Sequence, residues 1–171
     1  DKDELRGITR AQREQDPHQL LRAICGRADH LSGFRYFHDH DPRVLDAIME
    51  DRRCAKIVLT RNPVDSYVST ALARATNQWK LNQTETPIPA SAHFDGAEFR
   101  EVTDRIEEFQ LRVMHRLQAT GQTGFWLGYE DLRDAGVMTG LMHWLGRTDL
   151  KRVEPASDQV PQNPRELAEK V

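Results

Sequence analysis

Apolar positions along this chain follow two rhythms, and the first steps by three or four. Leu20, Leu21, Ile24 and Cys25 share one face behind Asp16-Pro17, and Val44, Leu45, Ile48 and Met49 share one behind Asp41-Pro42. Aspartate is a good N-cap and proline suits a first helical turn, so both pairs predict helix starts. Asn62-Pro63 repeats the signal ahead of Val64, Tyr67, Val68, Ala71 and Leu72, which predicts a helix over 63–80. The longest run is Phe99, Val102, Ile106, Phe109, Val113 and Leu117, an amphipathic helix expected over 95–120 and ended by Gly121. A last helix is expected over 137–146, while residues 3–15 are charged and weakly helical.

The second rhythm is the short apolar run. Ile57-Val58-Leu59 predicts a strand over 56–60, covered on both faces. Strands are also expected over 32–38 and 125–129. Strands alternating with helices in this order predict an α/β fold: a parallel sheet with right-handed crossovers and helices on both faces. Residues 82–94, with Pro87 and Pro89, read as a loop. Loops of that length often serve as lids or binding segments. Trp79, Trp126 and Trp144 read as core or cover.

Composition narrows the class. A chain of 171 residues suits a single domain, and 38% hydrophobic with 30% charged residues is polar without being disordered. A net charge of −3 points away from nucleic acid. Cys25 and Cys54 form no C-x-x-C pair, so neither a metal site nor a disulfide framework is expected. With no signal peptide and no apolar run of membrane length, the expected location is cytoplasmic. Asn82-Gln83-Thr84 would matter as a glycosylation acceptor only in a secreted protein.

The chemistry concentrates where the strand at 56–60 meets the next helix. Free backbone N–H groups and the helix dipole make such a junction an anion site. Arg61 adds a planar fork of donors suited to phosphate. The plainer reading of Arg61 is an ion pair with Asp65, one turn on.

The pattern Arg61-Asn62-Pro63-x-Asp65-x-x-x-Ser69 resembles the segment with which sulfotransferases hold the 3′-phosphate of 3′-phosphoadenosine 5′-phosphosulfate. Leu127-Gly128-Tyr129-Glu130-Asp131-Leu132, followed by Leu141, Leu145 and Gly146, is similar to that family's Tyr-Glu-Asp-Leu block and its helix. Gly33-Phe34-Arg35-Tyr36-Phe37-His38 and the tail from Gln162-Asn163-Pro164 to Val171 are similar to the bacterial, nodulation-type branch. Order and spacing agree over residues 33–171.

The resemblance implies a P-loop-kinase-like α/β fold and a sulfuryl transfer from that donor to a hydroxyl acceptor, with carbohydrate the class the branch suggests. It implies Arg61 and Ser69 as 3′-phosphate ligands, Tyr129 beside the adenine, His38 as catalytic base with His40 as second choice, and no metal. Each residue has a plainer reading. His38-Asp39-His40-Asp41 can be a solvated turn before a helix cap, Ser69 an ordinary helix serine and Tyr129 a core closure, with Glu130-Asp131 loading the next helix start. Arg35 can face a cleft or water. His38 and His40 have metal-ligand spacing, but no third ligand stands out.

One family element is not found: the Gly/Ser/Thr-rich loop after the first strand that cradles the 5′-phosphosulfate. Gly121-Gln122-Thr123-Gly124 precedes a strand instead of following one. The expectation is therefore a single domain over 1–171 whose native first strand and phosphate loop lie upstream. The alternative is a non-catalytic or truncated nucleotide-binding protein of the same fold. A P-loop kinase would need a lysine-bearing loop and a magnesium-binding carboxylate, and neither stands out. The apolar face of the helix at 95–120 could meet the sheet or a second copy, which leaves a homodimer open.

Overall fold

The computed structural model describes residues 4–26, 31–79 and 86–149. In chain order they form α1 (Arg10–Gln15), α2 (His18–Cys25), α3 (Pro42–Glu50), β1 (Ile57–Thr60), α4 (Pro63–Thr76), α5 (Gly96–Ala119), β2 (Phe125–Gly128), a 3-10 turn (Glu130–Arg133) and α6 (Ala135–Trp144). The protein is thus a mixed helix and strand structure with a small parallel sheet. The tail from Gln162, and Asn82-Gln83-Thr84, lie outside the described residues. Among the described residues, no helix is long and apolar enough to cross a membrane.

The chain divides into two compact units. The first takes Asp1–Lys56 and Glu108–Thr123. Its core is Leu45 and Met49 of α3 with Val113 and Leu117 from the second half of α5. Beside them Lys56 is 7% exposed. Its Nζ donates to Asp51 O and to Gln122 Oε1, each at 2.6 Å, and Gln122 Nε2 donates on to Met49 O at 2.7 Å. A buried lysine is tolerable because its donors are used, and burial pushes its pKa down. Gly121, at φ +62°, ends α5 as expected. Gln122 N–H reaches Leu117 O at 2.9 Å and Gly121 N–H reaches Gln118 O at 3.1 Å, the paired closure of a glycine-capped helix end.

The strand expected over 32–38 does not form. These residues are irregular and end in a turn at His38-Asp39. Tyr36 explains part of this. Its hydroxyl donates to the carbonyls of His40 and Asp41 at 3.1 Å, and its ring stacks on Phe109 at 6.0 Å between centroids. The aromatic run is held by side-chain contacts within its unit, with no strand ladder.

The second unit takes Ile57–Glu107 and Gly124 onward. β1 and β2 pair in parallel, with Ile57 opposite Phe125 and Thr60 opposite Gly128. Buried Tyr67 and Ala73 of α4, Leu127 of β2 and Leu141 of α6 form its core. Phe125 packs on Trp144 at 5.7 Å between centroids. β1 is not covered on both faces: Ile57 is 46% and Leu59 53% exposed. It has one strand neighbour among the described residues, and the face that carries Ile57 and Leu59 is the exposed one. Trp126 and Trp79 are exposed as well, so only Trp144 fills the covering role expected of the tryptophans.

Helix starts follow local chemistry. Asn62 Oδ1 accepts from Val64 N–H at 2.9 Å and Pro63 holds the first position of α4. Asp41 Oδ1 accepts from Arg43 N–H at 2.9 Å at the start of α3. α4 stops at Asn77, earlier than expected, in the left-handed conformation at φ +55°. Asparagine adopts that conformation more readily than most residues.

Candidate functional site

The junction of β1 and α4 lies within the second unit. Tyr129 N–H donates to Thr60 O at 2.8 Å, which carries the β1–β2 ladder one residue past the strands. Arg61 and Tyr129 are therefore side by side at the C-terminal end of the sheet, though 68 positions apart in sequence. The Arg61 guanidinium carbon sits 4.5 Å from the centroid of the Tyr129 ring. A cation over an aromatic face at that range is attracted by the ring quadrupole.

Arg61 Nε is buried and has no hydrogen-bond partner among the described residues. No ion pair joins Arg61 to Asp65, so the plainer reading of Arg61 is not the arrangement found. A buried donor left unmet costs free energy until something accepts from it. Asp65 occupies the first turn of α4. A carboxylate there already complements the helix dipole, which amounts to about half a charge. An anion at this junction would depend mainly on the full charge of Arg61.

Ser69 is half-buried in α4, seven residues beyond Asn62. Seven residues are close to two full turns, so Ser69 lies on the face of α4 that the N-cap begins. Behind Tyr129, Glu130 and Asp131 load the 3-10 turn. Gly128 has a steric reason: a Cβ there would come within 2.7 Å of Asp131 Oδ2. Tyr129 is 36% exposed, so it does not close a core.

His38 belongs to the first unit, exposed in the turn that precedes α3. Phe37 O accepts from His40 N–H at 3.0 Å, and His40 Nδ1 accepts from Phe37 N–H at 3.3 Å. Asp41 then caps α3. This is the solvated turn before a cap, and the strand end expected to carry His38 is absent. Arg35 is exposed. Among the described residues no three His, Cys, Asp or Glu side chains gather as a metal site would need. Cys25 and Cys54 are both free thiols.

A polar cluster that the sequence did not flag lies in the second unit. The Tyr67 hydroxyl donates to Glu98 Oε2 at 2.8 Å, and Arg74 donates to Glu98 Oε1 at 2.6 Å. Asp95 N–H donates to the Tyr67 oxygen at 3.2 Å. The hydrogen bonds from Tyr67 and Arg74 hold the Glu98 carboxyl below its usual range, and the same carboxylate pushes the Tyr67 phenol up. Phe94 and Phe99 meet the Tyr67 ring edge-on at 5.3 and 5.5 Å. The available signal was Tyr67 on the apolar face of α4, and that alone does not name its partner. An open depression on α5, lined by Gly96, Ala97, Arg100, Glu101 and Asp104, includes none of the candidate residues.

No family model, curated protein or solved structure matches this chain.

Proposed function

We propose that this chain is a sulfotransferase-type domain with a P-loop-kinase-like fold, using 3′-phosphoadenosine 5′-phosphosulfate as sulfuryl donor. Arg61 takes the 3′-phosphate, Ser69 supplies a second contact from α4, and Tyr129 stands beside the base. The acceptor is a hydroxyl compound, a carbohydrate by the resemblance. The observation that carries the reading is the meeting of Arg61 and Tyr129. The two residues belong to separate motifs, far apart in sequence, and the fold sets them in contact. The unmet Arg61 Nε fits a site that awaits an anionic acceptor of hydrogen bonds.

The chemistry asks for a base to take the acceptor's hydroxyl proton and for donors on the departing bisphosphate. His38 is the base offered by the resemblance alone. Its exposed turn favours a second reading, a nucleotide-binding domain without catalysis. A transfer assay with radiolabelled donor and a panel of sugar and phenol acceptors separates the two. Label on an acceptor, lost in Arg61→Ala, supports the enzyme. Donor binding without transfer supports the second reading, and neither binding nor transfer contradicts both.

A further inference from the structure

We infer that Tyr129 is a positioning residue that acts on anion binding through Arg61, by holding the guanidinium over its ring. The inference rests on the nucleotide-binding reading above and deepens it. Tyr129 is anchored where this requires. Its N–H donates to Thr60 O at 2.8 Å, and its own carbonyl accepts from Leu132 N–H at 3.4 Å. Its backbone is helical, at φ −60° and ψ −36°. Thr60 is the residue just before Arg61, so one hydrogen bond fixes the two Cα positions relative to each other.

The Arg61 guanidinium rests 4.5 Å from the ring centroid, and its buried Nε has no hydrogen-bond partner among the described residues. No carboxylate among the described residues shares the guanidinium in an ion pair. The ring thus performs what an acidic partner performs at many arginines: it fixes the side chain. It does so without cancelling the charge. An arginine with its rotamer set beforehand loses less freedom on gripping an anion. A carboxylate in the ring's place would compete with the phosphate, and a leucine would leave the fork mobile.

The prediction differs from that of a tyrosine that touches only the base. Calorimetry would compare 3′-phosphoadenosine 5′-phosphate with ribose 3,5-bisphosphate, which carries both phosphates and no adenine. The full chain, Arg61→Ala, Tyr129→Leu, Tyr129→Phe and the double variant Arg61→Ala/Tyr129→Leu would be measured. Tyr129→Leu should weaken ribose 3,5-bisphosphate by about fivefold to tenfold, and 3′-phosphoadenosine 5′-phosphate by at least as much. Tyr129→Phe, which keeps the ring, should recover most of that loss. In the Arg61→Ala background the leucine change should cost ribose 3,5-bisphosphate nothing further. Tyr129 is 36% exposed, so its truncation spares the buried core, and a thermal melt checks this. Loss confined to the adenine-bearing ligand overturns the inference and leaves the sulfotransferase reading standing. Failure of the wild-type chain to bind either ligand overturns both.

Discussion

Glu98 shows how one side chain sets a pH dependence. It accepts from the buried Tyr67 hydroxyl and from Arg74, and these bonds favour its charged form. A carboxyl whose pKa is lower folded than unfolded stabilises the fold fully above its ordinary value of 4.5. That contribution disappears as pH falls through the folded value. Glu98→Gln should therefore lower the thermal midpoint at pH 7 and change it least at pH 3, so the two melting curves converge in acid. Melting from pH 3 to 7 tests this, and parallel curves over that range would contradict it. Because Arg74 and Glu98 are more than a third exposed, at 56% and 39%, solvent screening keeps the effect modest. This cluster was not legible in advance, since Tyr67 and Glu98 are brought together by packing between two helices.

At the scale of the element, helix ends were the most legible feature, because caps are made by neighbours in sequence. Asn62, Asp41 and Gly121 each do what their chemistry implies. Asn62→Ala should cost about 1 kcal/mol, the usual value of a lost N-cap, read as a shift in the denaturant midpoint. No shift would mean that Pro63 alone sets the start of α4. Strands were less legible. Ile57–Thr60 and Phe125–Gly128 formed where expected, each one residue shorter. Residues 32–38, with Phe34, Tyr36 and Phe37, formed none. A strand exists only where another backbone completes its ladder, and composition cannot supply that partner. Tyr36 instead bonds the carbonyls at His40 and Asp41 through its side chain, and the strand on which His38 was to stand has no ladder.

For the whole molecule, alternation of strands and helices did indicate a parallel pairing. It did not indicate how little of the sheet is covered. Ile57 and Leu59 remain exposed on a strand whose apolar run read as buried, and Trp126, read as core or cover, is exposed too. Cover is a long-range property, set by elements that the run itself does not encode. The candidate site divided in the same way. Arg61 and Tyr129 were legible because each belongs to a motif at one end of a strand, and parallel register then joined them. Ser69 shares the helix face that Asn62 opens, while His38 lies in the other unit.

Whether Arg61 grips a 3′-phosphate is decided by calorimetry with 3′-phosphoadenosine 5′-phosphate against adenosine 5′-monophosphate. A charge-assisted hydrogen bond contributes about 1.5–3 kcal/mol, so Arg61→Ala should weaken the bisphosphate by about tenfold or more. The same change should leave the monophosphate nearly unaffected. Equal affinity for the two nucleotides, or a bisphosphate affinity indifferent to Arg61→Ala, would mean that Arg61 holds no 3′-phosphate.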